Sequence, residues 1–153
     1  ILIMKNPFRS PQKWIYKYIP KREYSDKVEL IPEFLFGCVV EFVESEKCFE
    51  HTEYRYHSSD RKFARDLKRC YFFAKRVRPF MQQSMDYELD EASKKNPMVW
   101  KESEDDDSIE CTLESKYSYE ELYGRHNYIE ENLKNQEQKY MKWIVKNVDH
   151  LWT

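Results

Sequence analysis

This chain predicts an all-α fold: a small helical bundle with a long C-terminal helix, an extended N-terminal arm and an acidic loop. The first observation behind that is two glycines in 153 residues, because all-β folds and phosphate-cradling loops draw on glycine for positive φ. The second is periodicity: apolar residues recur at steps of three and four through residues 58–79 and again from 118 onward. The third is size with aromatic content. A chain of this length makes about one domain, and its 9 Phe, 12 Tyr and 4 Trp supply large side chains for a core that needs no staples. A single helical domain over 1–153 is expected.

Taken in order, residues 5–30 are basic, aromatic and interrupted by Pro7, Pro11 and Pro20. They read as an extended arm with one short helical turn near Trp14 to Tyr18. Ile1, Leu2 and Ile3 precede Met4, which is the expected native start. The first helix is predicted over 32–47, with Pro32 in its first turn and Phe34, Leu35, Cys38, Val39, Phe42 and Val43 dense enough to be buried on most sides. Residues 48–59 connect it to a second helix, capped by Ser58, Ser59 or Asp60 and ending near Pro79. The inner stripe of that helix is Phe63, Leu67, Cys70 or Tyr71, Ala74 and Val77. Residues 80–91 continue as a further helix after a proline kink. Residues 92–116 read as the acidic loop or insert, since they hold Lys94-Lys95-Asn96-Pro97 and a run of acids from Glu102 to Glu110; a strand around Ile109 to Leu113 is the one regular element they suggest. The last helix starts near Ser118, with Glu120 and Glu121 in its first turn. Its stripe of Leu122, Ile129, Leu133, Tyr140, Ile144, Val148 and Leu151 carries it to Leu151-Trp152-Thr153. Roughly 30 residues rising 1.5 Å each give about 45 Å, so this helix either crosses the whole body or meets a partner chain, and self-association through it is expected.

Lys and Arg number 26 against 28 Asp and Glu. That balance does not mark the whole chain as a nucleic-acid binder, and any electrostatic partner must be sought in a local patch. The longest uncharged apolar run, Phe34 to Val40, is far short of the ~20 residues of a membrane span. Cys38, Cys48, Cys70 and Cys111 form no Cys-x-x-Cys pair, and no signal-peptide pattern opens the chain, so reduced thiols in a cytosol are expected.

The second helix carries the main local feature. Between Arg61 and Arg78 lie Arg61, Lys62, Arg65, Lys68, Arg69, Lys75, Arg76 and Arg78 against a single acid, Asp66. Arginine offers a planar fork that matches phosphate. Arg61, Lys62, Arg65, Lys68, Arg69 and Arg76 are therefore candidate ligands for an anion or an acidic partner, with His51, His57 and Tyr54 of the preceding loop as assisting groups. The competing reading is a solvated face neutralised by the acidic stretch 102–110. A zinc site from Cys48, His51 and His57 would need a distant fourth ligand such as Cys70 or Cys111, and no metal is expected. His126, with Glu130 four residues on, can be drawn as an acid–base pair, but a hydrogen-bonded core histidine accounts for it. Ser58 or Cys70 paired with a histidine lacks a supporting turn or third member, so no catalytic residue and no cofactor are assigned. Trp14, Tyr16, Tyr18, Tyr24, Tyr54 and Tyr56 flank basic residues and either stack on bases or pack the arm on the core.

Three blocks resemble a family of small, uncharacterised tailed-bacteriophage proteins, in which a helix rich in Phe, Val and Glu precedes a segment near L-Y-D-W-W-x-x-x-R-P and the chain closes on L-W-T. Here these are Phe42-Val43-Glu44-Ser45-Glu46; Cys70-Tyr71-Phe72-Phe73-Ala74 followed after three residues by Arg78-Pro79; and Leu151-Trp152-Thr153. Phe72 stands in place of the acid, and Phe73 and Ala74 in place of the paired tryptophans. The resemblance touches about half the chain and implies a phage origin and a helical fold, without an activity.

The expectation is a non-enzymatic phage accessory protein in the host cytoplasm, which inhibits a host defence protein or sequesters an anionic nucleotide signal. The alternatives are a metal-dependent phosphoesterase using His51, His57 and Glu44, Glu46 or Glu50, and a virion or packaging component.

Overall fold

The computed structural model of the chain describes residues 27–50, 58–102, 109–113 and 116–151. The fold is all-α in class, with one short hairpin. The order is α1 (Lys27–Ser45), a 3-10 turn (Cys48–Glu50), α2 (Ser58–Phe72), a π turn (Phe73–Val77), α3 (Arg78–Lys95), strands β1 (Met98–Glu102) and β2 (Ile109–Leu113), α4 (Tyr119–Lys146) and the short α5 (Val148–Leu151). The described residues group into two compact units: those within Ile1–Val77 and Glu137–Thr153, and those within Arg78–Gln136.

In the first unit α1 supplies the densest apolar run. Phe36, Cys38, Val39, Val40 and Val43 are all buried. Of the predicted set Cys38, Val39 and Val43 are inward, whereas Phe34 is exposed and Leu35 and Phe42 only half-buried, because Phe36 and Val40 take the inward side. The helix begins at Lys27, within the predicted arm, so Pro32 sits inside it rather than in its first turn. The four residues 27–30 are compatible with helix, and Pro32 forfeits only one backbone donor near a helix end, where such a loss is cheapest. The rest of the arm, residues 1–26, lies outside the described residues. α1 ends in a tight turn in which Lys47 takes the left-handed conformation, φ 49°. Glu50 N–H then donates to the Lys47 carbonyl at 2.8 Å.

α2 packs Leu67 and Cys70 into this core with no exposed surface, and Phe63 stacks on Trp143 with centroids 5.6 Å apart. The predicted stripe holds as far as Cys70 and then slips. Phe73 is the buried residue, 1% exposed, where Ala74 was expected. Its ring meets Phe36 edge-on at 5.4 Å and stacks on Tyr140 at 4.6 Å. Phe73 lies three residues beyond Cys70, an ordinary helical step, and the extra residue of the π turn acts after it, where Arg78 is buried and Val77 only half-buried. Pro79 explains the turn's place. A proline ring collides with the carbonyl four residues back, here Lys75, and that residue lies in the widened turn. The helix therefore passes Pro79 and runs to Lys95 instead of ending there. Ile144 and Leu151 complete the core, at 0% and 1% exposure.

In the second unit α3 and the first part of α4 bury Ala92, Leu122 and Leu133. Arg125 and Glu88 approach to 3.8 Å, and Gln136 Nε2 donates to Met81 Sδ at 3.9 Å. The expected acidic loop over 92–116 is replaced in part by regular structure. Residues 92–95 belong to α3, and β1 pairs with β2 antiparallel from Met98↔Leu113 to Glu102↔Ile109. Val99, Trp100, Ile109 and Thr112 are strand formers on either side of the acids, and the register sets Lys101 opposite Glu110. Residues 103–108 lie outside the described residues.

α4 opens with a capping box. Ser118 N–H donates to Glu121 Oε2 at 2.7 Å, and Glu121 N–H donates to Ser118 Oγ at 3.3 Å. The helix stops at Lys146, short of the predicted end at 151–153. Asn147 is the cause: its backbone N–H is shared between the carbonyls of Trp143 and Ile144, both at 3.1 Å. Its side-chain Nδ2 also donates to Trp143 O at 2.8 Å, and asparagine competes with the helix ladder in this way.

Candidate functional site

The outer face of α2 is where the candidate anion ligands come together. With Leu67 and Cys70 turned inward, the helical repeat drives Arg61, Lys62, Arg65, Lys68 and Arg69 outward, and all five are exposed. Arg69 lies 3.8 Å from Asp66, its own neighbour three residues back, and its side chain is 67% exposed. A pair that open to water is worth under about 1 kcal/mol, so it does not hold Arg69 back from a stronger anion. Arg61, Lys62, Arg65 and Lys68 form no ion pair among the described residues. Arg76, in the π turn, is exposed as well. Arg78 is buried at 7% exposure and engaged, so it falls outside this surface.

Lys75 is also withdrawn from the face. Its Nζ lies 2.8 Å from Glu44 Oε1, and the same oxygen accepts a hydrogen bond from the Tyr71 hydroxyl at 3.0 Å. This small network ties α1 to the start of the π turn. Burial, followed by that hydrogen bond to Glu44, raises the Tyr71 phenol above its ordinary value. No periodicity signal flagged the trio, because its members lie on separate elements. A carboxylate held by Tyr71 and Lys75 is poorly placed to bind a metal, which weighs against Glu44 as a ligand of a phosphoesterase site.

His51, Tyr54 and His57 lie outside the described residues, as do Trp14, Tyr16, Tyr18, Tyr24 and Tyr56. Among the described residues no group of three or more His, Cys, Asp or Glu is arranged to hold a metal ion. The described thiols are held in the neutral form. Burial pushes Cys70 up to about 12 and Cys38 to about 11; it also raises Cys48, whose Sγ donates to Phe42 O at 3.2 Å. A thiol kept protonated is neither a nucleophile nor a good metal ligand. His126 is half-buried in the second unit, its Nδ1 3.3 Å from Asn127 Oδ1. The Glu130 carboxylate instead binds Lys134 at 2.7 Å, an ammonium that holds it below the usual carboxylate range. The two do not form the drawn acid–base pair.

No protein-family model matches this chain, and no curated protein or solved structure matches it. The functional reading therefore rests on the chain's own residues.

Proposed function

We propose that this protein acts by binding, without catalysis, and that the exposed face of α2 holds an anionic ligand or acidic partner. The observation that carries the reading is the set Arg61, Lys62, Arg65, Lys68 and Arg69 on one outward face, four of them without an ion pair among the described residues. Like charges gathered over about two and a half helical turns repel one another, and an anion bridging them removes that repulsion while gaining charge-assisted hydrogen bonds. The resemblance to tailed-phage proteins extends the reading to an accessory protein of the infected cytoplasm. There it inhibits a host defence protein or sequesters a nucleotide signal, with a second copy meeting the protein along α4.

The test is to purify the native protein from its producing cells and measure its mass by light scattering, together with the ratio of absorbance at nucleotide and protein wavelengths. An absorbing ligand or an added protein mass is expected, and it should be lost in the double variant Arg65→Glu, Arg69→Glu. If the variant keeps every ligand and partner of the native protein, the cationic face is not the site.

A further inference from the structure

Phe72 is an apolar side chain set in the cationic face of α2. Helical neighbours on one face lie three, four and seven residues apart, and those positions before Phe72 are Arg69, Lys68 and Arg65. Arg76 follows four residues later, in the π turn, and is exposed like the other three. The Phe72 ring takes no part in the core. It is 58% exposed, whereas its neighbour Phe73 is 1% exposed. A surface phenylalanine standing singly needs no explanation. One flanked by four cations stands where an anionic ligand would meet it.

Resting on the reading of this face as an anion site, we infer that it binds a single strand of nucleic acid, one base stacked on Phe72 and the neighbouring phosphates on Arg65, Lys68, Arg69 and Arg76. A strand brings a π face and a phosphate with every nucleotide, and an open aromatic among Arg and Lys answers both. Other anions answer only one. Polyglutamate or inorganic phosphate has charge for the cations and no ring for Phe72. A duplex keeps its bases stacked on one another and would meet the ring only by being unstacked. An anionic lipid surface takes a row of apolar side chains, but Phe72 is the one exposed apolar residue among the described residues of α2. A free mononucleotide engages one or two cations. Here the cations are strung along the helix, and the rise from Arg61 to Phe72 alone is about 16 Å, which suits a chain of phosphates.

Fluorescence anisotropy on the full chain tests the inference, with labelled oligothymidylate and oligouridylate of about 12 nucleotides as probes at about 50 mM salt. At least one of them should bind with a Kd in the micromolar range. An abasic strand of the same length keeps the phosphates without the bases and should bind about tenfold more weakly. Phe72→Leu should lose about the same factor, while Phe72→Trp keeps or improves the affinity, a contrast that a packing role would not produce. Phe72 is exposed, so both variants should fold, with an unchanged circular dichroism spectrum. The double variant Arg65→Glu, Arg69→Glu should bind no strand. The inference is overturned if neither strand binds at about 100 µM protein, if the abasic strand binds as tightly as oligothymidylate, or if Phe72→Leu matches the native chain. Tighter binding of a duplex, of polyglutamate or of phosphatidylserine vesicles overturns it as well. Abasic-strand binding at full strength that vanishes in the double variant would leave the cationic face as an anion site that stacks no base, whereas strand binding that survives the double variant would remove the anion site itself.

Discussion

Gly124 is a helical glycine whose replacement the structure permits. A Cβ built there would come 2.7 Å from Glu120 Oε1, but that atom is the far end of an exposed, flexible side chain that can swing away. Alanine in a helix interior is better than glycine by about 0.5–1 kcal/mol. Gly124→Ala should therefore raise the unfolding free energy by that amount, read as a higher urea midpoint with an unchanged slope. Leu67 lies at the opposite extreme, fully buried, and Leu67→Ala should cost about 2–5 kcal/mol in the same measurement. The buried thiols set a pH dependence. Cys38 and Cys70 titrate near 11 and 12 in the folded protein against 9.0 when free. Between these values the folded state keeps protons that the unfolded chain has lost, so the stability they contribute is whole below pH 9 and falls as pH rises from there toward 12. Denaturant titrations at a series of alkaline pH values should show that decline, and replacing both cysteines by alanine should flatten it.

At the scale of elements, the capping box of α4 makes a specific demand on Ser118. Ser118→Ala removes the acceptor for Glu121 N–H and should cost about 0.5–2 kcal/mol, seen as a lower thermal midpoint with loss of helical signal. The elements also show how far the sequence could be read. Helical class, the buried run of α1, the inner face of α2 up to Cys70 and the start of α4 followed from periodicity and residue type. The step from Val77 to the buried Arg78 did not, because a π turn changes the period itself, and a reader applying 3.6 residues per turn through it is one position out. Pro79 was visible but misread as a stop, since a proline marks a clash and not the way the helix relieves it. The hairpin was half hidden because the acids of 102–110 dominate the composition of that stretch, and pairing with β1 is a non-local property. Asn147 ended the last helix through a side-chain hydrogen bond that no apolar stripe records.

For the molecule as a whole, net charge governs what the α2 face can attract. The net charge of −2 gives no general attraction to polyanions, so affinity at the α2 face should come from a few cations. It should fall steeply with added salt. Titrating inorganic phosphate into the protein at low and moderate ionic strength checks this expectation. The cationic face was legible as a run of Arg and Lys, because charge clusters survive in one dimension. No described helix is long and apolar enough to cross a membrane.

The first unit draws on both Ile1–Val77 and Glu137–Thr153, and its core includes Ile144 and Leu151. During synthesis, α1 and α2 leave the ribosome long before those two residues exist. At about 5–20 residues per second the wait after Val77 is about 4–15 s, through which Val39, Leu67 and Phe73 have no complete interior to enter. The second unit, contiguous in sequence, can form in that interval. A nascent chain stalled before residue 144 should thus be bound by chaperones through its early segments and cut there by proteases, while one released whole should resist both.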